Sequence, residues 1–408
     1  MRAGRIALLA MPAALLIYGG LSVPAPPALR WVEAAIGLLM VLAVGWRRPL
    51  AVTTGHALRA RSDAGWQTVA VPALAWLLWA PLLRGAALGW EAADILRDVV
   101  PLLYLFLPVL LVPALKRLGP AGVGPWGVRA LAGGLALAGL LLALRWWRQS
   151  GWGFGAVGMR AMADGGGYLL NAPSVLFAAV ALPALSLSLL ASGGRVWRPA
   201  VALASAAAGA VCLGALGGAV HRTALGLAAL SLALIALWWV RRRPVLALPL
   251  LLGVGLAAAL AGDALTGIWQ QAAEKTRLTG ANTRWEEAAV VIDHVAASPW
   301  ALLFGDGWGA RIANPAVGGW RVGYTHTLVS YSLLKTGLLG MLALGAYLGA
   351  LVRPWCRLLA DDPPLALALV PPLLMALGLH TSFKYLDTGV LLSLMLLAAG
   401  CRKGLSTR

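Results

Sequence analysis

Two groups that hydrocarbon does not tolerate, a histidine and a lysine, stand near the head of a long apolar run, GYTHTLVSYSLLKTGLLG (323–340). An imidazole can be neutral near pH 7 and accept a proton there, so His326 is a candidate general base. The alternative is a structural histidine at a membrane interface. At about 100° per residue, a helix places Lys335 on the side opposite His326, as a structural or lipid-facing residue. Gly337 and Gly340 share the face of His326 and predict close packing of another helix there.

Three arginines are candidates for binding an anion. Arg284 follows Thr283 in a capping-box sequence, TRWE, and apolar residues then recur at helical spacing. This predicts an amphipathic helix with the Arg284 guanidinium beside the free N–H groups of the first turn, an arrangement that binds phosphate. Arg222, in GGAVHRTALGLAAL, lies beside His221 at a predicted turn. A solvated or snorkelling side chain is the alternative for Arg284 and Arg222; Arg160, in a Gly- and Trp-rich segment, is the weaker candidate.

Other polar residues could support such a site. His221 and Tyr324 neighbour the candidates above, and Asn171 begins an apolar run. Asp306 lies in FGDGWGARIANP (304–315), whose three glycines could cradle an anion but favour a structural turn.

The remaining polar groups give weaker signals. Arg97 and Asp98 are interpreted as a local pair, and the polar residues of 380–387 as a solvated loop. The three cysteines form neither a disulfide framework nor a metal-ligand spacing with histidine, so we predict no metal site.

The composition places these residues in a membrane protein. Apolar residues make up 60% of the chain, charged residues 12%, and mean hydropathy is +0.81, which excludes an ordinary soluble protein. Runs of roughly 17–25 apolar residues can cross a bilayer as helices. We predict an all-α polytopic protein with one integral membrane domain (1–408) and about twelve transmembrane helices, at approximately 6–22, 28–45, 66–83, 98–115, 127–144, 169–191, 199–219, 223–240, 244–262, 325–352, 364–381 and 387–401.

Charge predicts the orientation of these helices. With a cytoplasmic N-terminus, the inner segments hold 19 basic and three acidic residues, and the outer segments hold 13 basic and 12 acidic residues. The net charge of +18 is therefore mostly the positive-inside bias, and we reject nucleic-acid binding. Both termini are then cytoplasmic. The segments 145–168 and 263–324 are the long outer loops, and the second is predicted to be an ordered cap containing the amphipathic helix.

The candidate residues together suit one kind of chemistry. Arginines at a helix terminus suit a phosphate ester, a base suits removal of a proton from an attacking hydroxyl, and many apolar helices suit a lipid tail. Transfer of a sugar from a polyprenyl diphosphate uses all three, with arginines in place of a metal. A transporter or flippase of a lipid-linked anion is the alternative from another class. Polar groups gathered at one membrane face and dissimilar halves favour the enzyme.

Three motifs, HRTALG, TRWEEA…SPWALLFGDGWG and THTLVSYSLLKTGLLG, resemble those of the bacterial O-antigen ligase/polymerase superfamily, and most of all the lipopolysaccharide O-antigen ligases. The resemblance covers the whole topology, with a large periplasmic loop before a helix headed by histidine. The chain departs from the family pattern at Lys335, where members usually carry an acidic residue.

The resemblance implies a fold similar to the C-type membrane glycosyltransferases, in the Gram-negative inner membrane, with a periplasmic active site. The implied donor is undecaprenyl-diphosphate-linked O-antigen and the implied acceptor is lipid A–core, with no cofactor and inversion of the linkage. His326 would be the base, and Arg222 and Arg284, with Arg160 weaker, would hold the diphosphate. O-antigen polymerases and protein O-oligosaccharyltransferases of the same superfamily remain alternatives; the latter are commonly longer, which favours the ligase.

Overall fold

The computed structural model of the chain describes residues 2–22, 30–54, 65–116, 125–151, 169–191, 196–245 and 284–401, together with residues 262, 266, 267, 270 and 273. Arg160, most of the predicted run 244–262 and most of 263–283 lie outside these residues.

The described chain is almost entirely helical. Its helices are α1 (Arg2–Leu21), α2 (Trp31–Val44), α3 (Arg47–Thr53), α4 (Gln67–Ala87), α5 (Ala92–Leu105), α6 (Leu107–Lys116), α7 (Pro125–Gln149), α8 (Pro173–Ala191), α9 (Arg198–Gly218), α10 (Arg222–Arg242), α11 (Arg284–Ala296), α12 (Pro299–Phe304), α13 (Leu328–Asp361), α14 (Pro363–Leu374) and α15 (Leu386–Cys401). Short 3₁₀ turns lie at Leu169–Asn171, Pro315–Val317 and Thr381–Lys384, and a π turn lies at Met375–Leu379. The strands β1 (Ile312–Ala313) and β2 (Arg321–Val322) form an antiparallel pair.

Length and composition identify the helices that can cross a bilayer. Within the described residues, α4, α7, α8, α9, α10 and α13 qualify, which gives six. Two bent pairs, α2 with α3 at 83° and α5 with α6 at 43°, raise the number to eight if each pair is one span. α1, α14 and α15 contribute shorter apolar helices. The all-α, multi-pass membrane architecture agrees with the sequence, whereas the count of about twelve spans stays a prediction.

Helix α15 is the centre of the bundle. Each residue from Leu386 to Ala398 is buried, because α15 packs against α5, α6, α7 and α13. A helix apolar on every side needs this enclosure. At its start, the Asp387 carboxylate accepts a hydrogen bond from the backbone N–H of Ser174 at 2.9 Å. The expectation of a solvated loop at 380–387 is therefore wrong, since most of this turn is packed into the bundle.

Helix α13 is interrupted at Gly337, whose φ of 62° and ψ of −167° are not helical. A Cβ at this position would lie 2.4 Å from the backbone nitrogen of Gly305, so only glycine fits. The close neighbours of Gly337 are Leu303, at the end of helix α12, and Gly305, which follows that helix. The predicted close packing of another helix at this glycine is therefore confirmed. Gly340, one turn further, also faces a helix, with Leu77 of α4 nearby.

The segment 305–309, here called the glycine loop, fills the break in α13. The N–H groups of Asp306 and Gly307 donate to the carbonyls of Leu334 and Lys335, at 2.9 and 3.0 Å. These carbonyls lie where the interruption of α13 disturbs the helical hydrogen-bond ladder, so the loop supplies donors that the helix lacks.

The same loop also binds α4 and α5. The indole of Trp308 donates to the carbonyl of Leu77 at 3.0 Å, which has no helical partner because Pro81 lacks an N–H. The Trp308 backbone N–H donates to the carbonyl of Pro81 at 3.0 Å, and that of Gly309 donates to Asp98 at 2.8 Å. The N–H groups from 306 to 309 are all used by the protein, so the glycine loop is a structural turn and not an anion cradle.

A buried ion pair lies beneath the glycine loop. The Lys335 ammonium is 2.6 Å from an oxygen of Asp98, and both residues are buried. The Tyr331 hydroxyl donates to the other carboxylate oxygen at 2.7 Å. Lys335 is therefore neither lipid-facing nor unpaired. Arg97 pairs instead with Asp94 at 3.4 Å, so the predicted Arg97–Asp98 pair is wrong.

We predict that Lys335→Met destabilises the protein by about 3–5 kcal/mol, because it leaves the Asp98 carboxylate buried without its cation. The double variant Asp98→Asn/Lys335→Met should recover much of this loss, since the amide keeps a hydrogen-bond acceptor without the charge. Apparent melting temperature in detergent measures both, and Lys116→Met, at an exposed lysine, is the matched control. A double variant less stable than Lys335→Met alone would contradict the role assigned to the pair.

Candidate active site

Helix α11 is the predicted amphipathic helix, and Arg284 is its first described residue. Its buried residues are Glu287, Val291 and Val295, which are four apart and share one face. Val291 packs with Ile312 of β1 and with Leu334 of α13. This apolar contact orients the helix, and the same face carries Glu287 toward the start of α13.

His326 lies just before α13 and not on it. Thr327 is the N-cap of the helix, and its hydroxyl accepts a hydrogen bond from the N–H of Ser330 at 3.1 Å. The prediction that His326 shares a helical face with Gly337 is therefore wrong, because the helix begins only after the N-cap Thr327, which follows the histidine. The imidazole is placed by its own hydrogen bonds.

Glu287 forms those hydrogen bonds. One carboxylate oxygen accepts the backbone N–H of His326 at 2.7 Å, and the other pairs with His326 Nδ1 at 2.7 Å. The side-chain amide of Asn314 donates to this second oxygen, also at 2.7 Å. Glu287 is 1% exposed, so the whole carboxylate depends on these donors.

The charge state of Glu287 decides which nitrogen of His326 carries the proton. Burial raises the pKa of Glu287, but the hydrogen bonds from His326 and Asn314 outweigh it, so the pKa lies below its usual value. An ionised carboxylate only accepts hydrogen bonds, so Nδ1 of His326 must donate. In the neutral imidazole the lone pair then lies on Nε2, which has no hydrogen-bond partner within the described chain. The side chain is 28% exposed, so Nε2 is available to a ligand.

A hairpin holds Asn314 behind this pair. Asn314 follows β1, and its side-chain oxygen accepts the N–H of Ala316 at 2.9 Å, which fixes the turn before Pro315. Its amide reaches Glu287 on one side and the Tyr324 carbonyl on the other, at 3.3 Å. The Tyr324 ring meets the His326 ring edge-on, with centroids 6.1 Å apart. The residues that follow β1 and β2 therefore contact both members of the pair: Asn314 binds the Glu287 carboxylate, and Tyr324 packs against the His326 imidazole.

A second histidine, His380, lies near an arginine and two other histidines. Burial, and to a smaller extent His221, Arg284 and His326, lower the pKa of His380 to about 3. Among these neighbours, Arg284 carries a permanent positive charge. Nδ1 of His380 is buried and has no hydrogen-bond partner within the described residues. The region is therefore electropositive.

His221, the residue before α10, joins this region at a strained turn. His221 Nε2 pairs with Asn171 Oδ1 at 3.0 Å, and the two imidazoles of His221 and His380 lie 6.4 Å apart. Arg222 is the first residue of α10 and is exposed. Val220, just before them, has a φ of 52°, which is unfavourable for a β-branched residue. Strain of this kind concentrates at functional turns.

Asp306, a predicted supporting residue, makes a different contact. Its carboxylate pairs with Nε2 of His294, a residue of α11, at 2.6 Å. No feature of the sequence had marked His294 as part of a site. Arg160 lies outside the described residues. Among the described residues, no group of three or more His, Cys, Asp or Glu side chains could hold a metal ion.

Two residues of the site, the carboxylate Glu287 and the amide Asn314, were not among those predicted from the sequence. Glu286, in the predicted capping box, is exposed, whereas Glu287 binds His326. The helical period contained the missing signal, since Glu287 falls on the stripe with Val291 and Val295. The geometry orients the imidazole of His326 with a carboxylate, an arrangement that is suited to removing a proton.

Comparison of the chain with protein-family models returns no match, and comparison with curated proteins returns no significant match. The function therefore has to be inferred from the chemistry of these residues and from the resemblance of their motifs.

We predict a pH-dependent contribution of Glu287 to stability. Because its folded-state pKa is lowered from the usual 4.5, the stabilisation is present above about pH 4.5 and is lost as pH falls through the folded-state pKa. The difference in apparent melting temperature between wild type and Glu287→Gln should therefore shrink below pH 4.5. Glu286→Gln, its exposed neighbour, is the control, and a difference constant from about pH 3 to pH 7 would contradict the coupling.

Proposed function

We propose that the chain is an O-antigen ligase, a membrane glycosyltransferase. It transfers O-antigen polysaccharide from undecaprenyl diphosphate to lipid A–core at the periplasmic face of a Gram-negative inner membrane. The reaction needs no metal and inverts the anomeric linkage. The observation that carries this proposal is the Glu287–His326 pair, whose Nε2 forms no hydrogen bond with the described residues, together with the neighbouring Arg284 and His221.

The pair supports general-base catalysis. Glu287 holds the imidazole with the proton on Nδ1, so Nε2 can remove the proton from an acceptor hydroxyl as the C–O bond forms. The imidazolium that results is stabilised by the adjacent carboxylate, which stays ionised. The acceptor oxygen attacks the anomeric carbon from the face opposite the leaving group, and the linkage therefore inverts.

The arginines support departure of the diphosphate. The bond between the anomeric carbon and the diphosphate oxygen breaks, and the electron pair leaves with undecaprenyl diphosphate. Arg284 and Arg222, each at a helix N-terminus, would neutralise that charge through guanidinium hydrogen bonds and the helix dipole. Arg160 keeps its place as a weaker candidate. His221 and Asn171 would hold the strained turn that presents Arg222.

The bundle supports a substrate with a lipid tail and a site on the outer side. Arg222 begins α10, and Arg241 and Arg242 end it. A helix of 21 residues spans about 30 Å, so the proposed site and this basic cluster lie on opposite membrane faces. The positive-inside rule assigns the basic cluster, with both termini, to the cytoplasm and the site to the periplasm.

Deletion of the gene in the native bacterium, followed by plasmid complementation, tests the function. Loss of a ligase should leave lipid A–core without long chains while lipid-linked polymer accumulates. Single-repeat caps would indicate a polymerase instead. Unchanged lipopolysaccharide would contradict the proposal and favour a protein O-oligosaccharyltransferase or a transporter of a lipid-linked anion.

We predict that His326→Ala fails to restore long-chain lipopolysaccharide, and that Glu287→Gln lowers the purified enzyme's kcat by about 10²-fold or more, since general-base catalysis contributes about 10²–10⁴-fold. Both should insert in the membrane normally. His294→Ala, a histidine on α11 outside the proposed machinery, is the matched control. Normal ligation by His326→Ala would end the base hypothesis.

We predict that Arg284→Ala weakens use of the donor and that Arg284→Lys restores only part of it, because an ammonium cannot reproduce the bidentate guanidinium contact with phosphate. The measurement is KM for the lipid-linked donor at saturating acceptor. Arg311→Ala, which removes an arginine of the same region that pairs with Asp94, is the control. An unchanged donor KM in Arg284→Ala would remove Arg284 from the diphosphate site.

A further inference from the structure

Lys384 is a cation that the mechanism above does not use. It ends the 3₁₀ turn Thr381–Lys384, just before α15. Its ammonium lies 4.0 Å from the centroid of the Tyr331 ring, 5.6 Å from that of Phe383 and 5.8 Å from that of Tyr324. The ammonium thus lies over three aromatic rings, which favour a cation. Within the described residues, none of its N–H groups donates to an oxygen.

The acids near Lys384 are already engaged by other donors. Asp98 binds Lys335, Tyr331 and Gly309. Glu287 binds His326 and Asn314. Within the described residues no carboxylate forms an ion pair with Lys384, so its three donors are left for a ligand.

Lys384 also adjoins the proposed base. The Tyr324 ring contacts both residues. Its centroid lies 5.8 Å from the Lys384 ammonium and 6.1 Å from the centroid of the His326 imidazole. A substrate whose hydroxyl lies at Nε2 of His326 would therefore extend past Tyr324 to the ammonium.

The electrostatics of Lys384 suit a reversible anion site. Burial lowers its pKa to about 7; the charges of Asp98 and Glu287 oppose this, and those of Lys335 and Arg97 add to it. The rings of Tyr324 and Tyr331 also face it. The ammonium is therefore present below about pH 7 and lost above it. An anion bound there would favour the charged form.

We propose that Lys384 binds an anionic group, phosphate or carboxylate, of a substrate held at His326. The proposal rests on the proposed function and adds a positioning residue to it. Two sources can supply the anion: a charged substituent on the acceptor oligosaccharide, or the diphosphate of the donor. The acceptor is favoured, because the donor diphosphate already has Arg284 and Arg222.

The test compares wild type, Lys384→Gln and Lys384→Arg, purified in detergent. Lys384→Gln should raise KM by about 10-fold or more for one substrate, as expected for loss of a charged hydrogen bond, with little change in kcat. A raised acceptor KM assigns the anion to the acceptor, and a raised donor KM assigns it to the diphosphate. Below about pH 7, Lys384→Arg should keep the wild-type KM.

A pH series separates this role from a structural one. In wild type, KM for the affected substrate should rise as pH increases above 7, because the ammonium is lost. In Lys384→Arg it should stay flat, because guanidinium remains charged. If Lys384→Gln fails to fold, the pH dependence of KM in wild type and in Lys384→Arg still tests the proposal. Wild-type KM values for both substrates in Lys384→Gln, or the same pH dependence in Lys384→Arg, would overturn the proposal.

Equilibrium binding of lipid A–core and of the lipid-linked donor can be measured without turnover. It therefore distinguishes failure of the proposed transfer reaction from failure of the proposed anion site. If wild type binds a substrate but transfers no sugar, the function fails while Lys384 stays testable. Weaker binding by Lys384→Gln would then support the anion site. Equal binding by wild type and Lys384→Gln, or no binding of either substrate by wild type, would overturn it.

Discussion

The hydrogen-bonded pair of Glu287 and His326 is the constraint on which the rest of the site depends. A carboxylate that is 1% exposed must be satisfied by fixed donors, and here the donors are the backbone and imidazole of His326 and the amide of Asn314. Each partner lies on a different segment: α11, the β1–β2 hairpin and the start of α13. The pair therefore fixes the geometry of all three and sets the tautomer of the histidine.

The cap that carries this pair is fastened to the bundle by backbone hydrogen bonds. The glycine loop supplies N–H groups to α13 at Gly337 and to α4 at Pro81, two places where a helix has lost its own donors. Beneath it, Asp98 and Lys335 join α5 to α13. Irregular backbone is tolerated near a membrane only when its polar groups are satisfied in this way. These connections hold the site against α4, α5 and α13.

Residues with a strong local signature were predictable from the sequence. The apolar runs predict the helices, and the period after Thr283 predicts α11 with Arg284 at its start. Asn314 and Lys384 were not identified, because the contacts that distinguish them are made with residues distant in sequence. Glu287 lies on the buried stripe of α11, but its partner His326 is 39 residues away. For Lys335 the sequence left a structural and a lipid-facing role open, because its partner Asp98 lies 237 residues away. The break at Gly337 was hidden because a glycine in a helical pattern also suits helix packing.

The most direct test of the central claim is an experimental structure of the protein with undecaprenyl diphosphate bound. The account predicts diphosphate oxygens within hydrogen-bond distance, about 3 Å, of the Arg284 guanidinium, with Nε2 of His326 facing the space where an acceptor would lie. A diphosphate bound at the opposite end of α10, or an imidazole released from Glu287 and turned toward lipid, would contradict it.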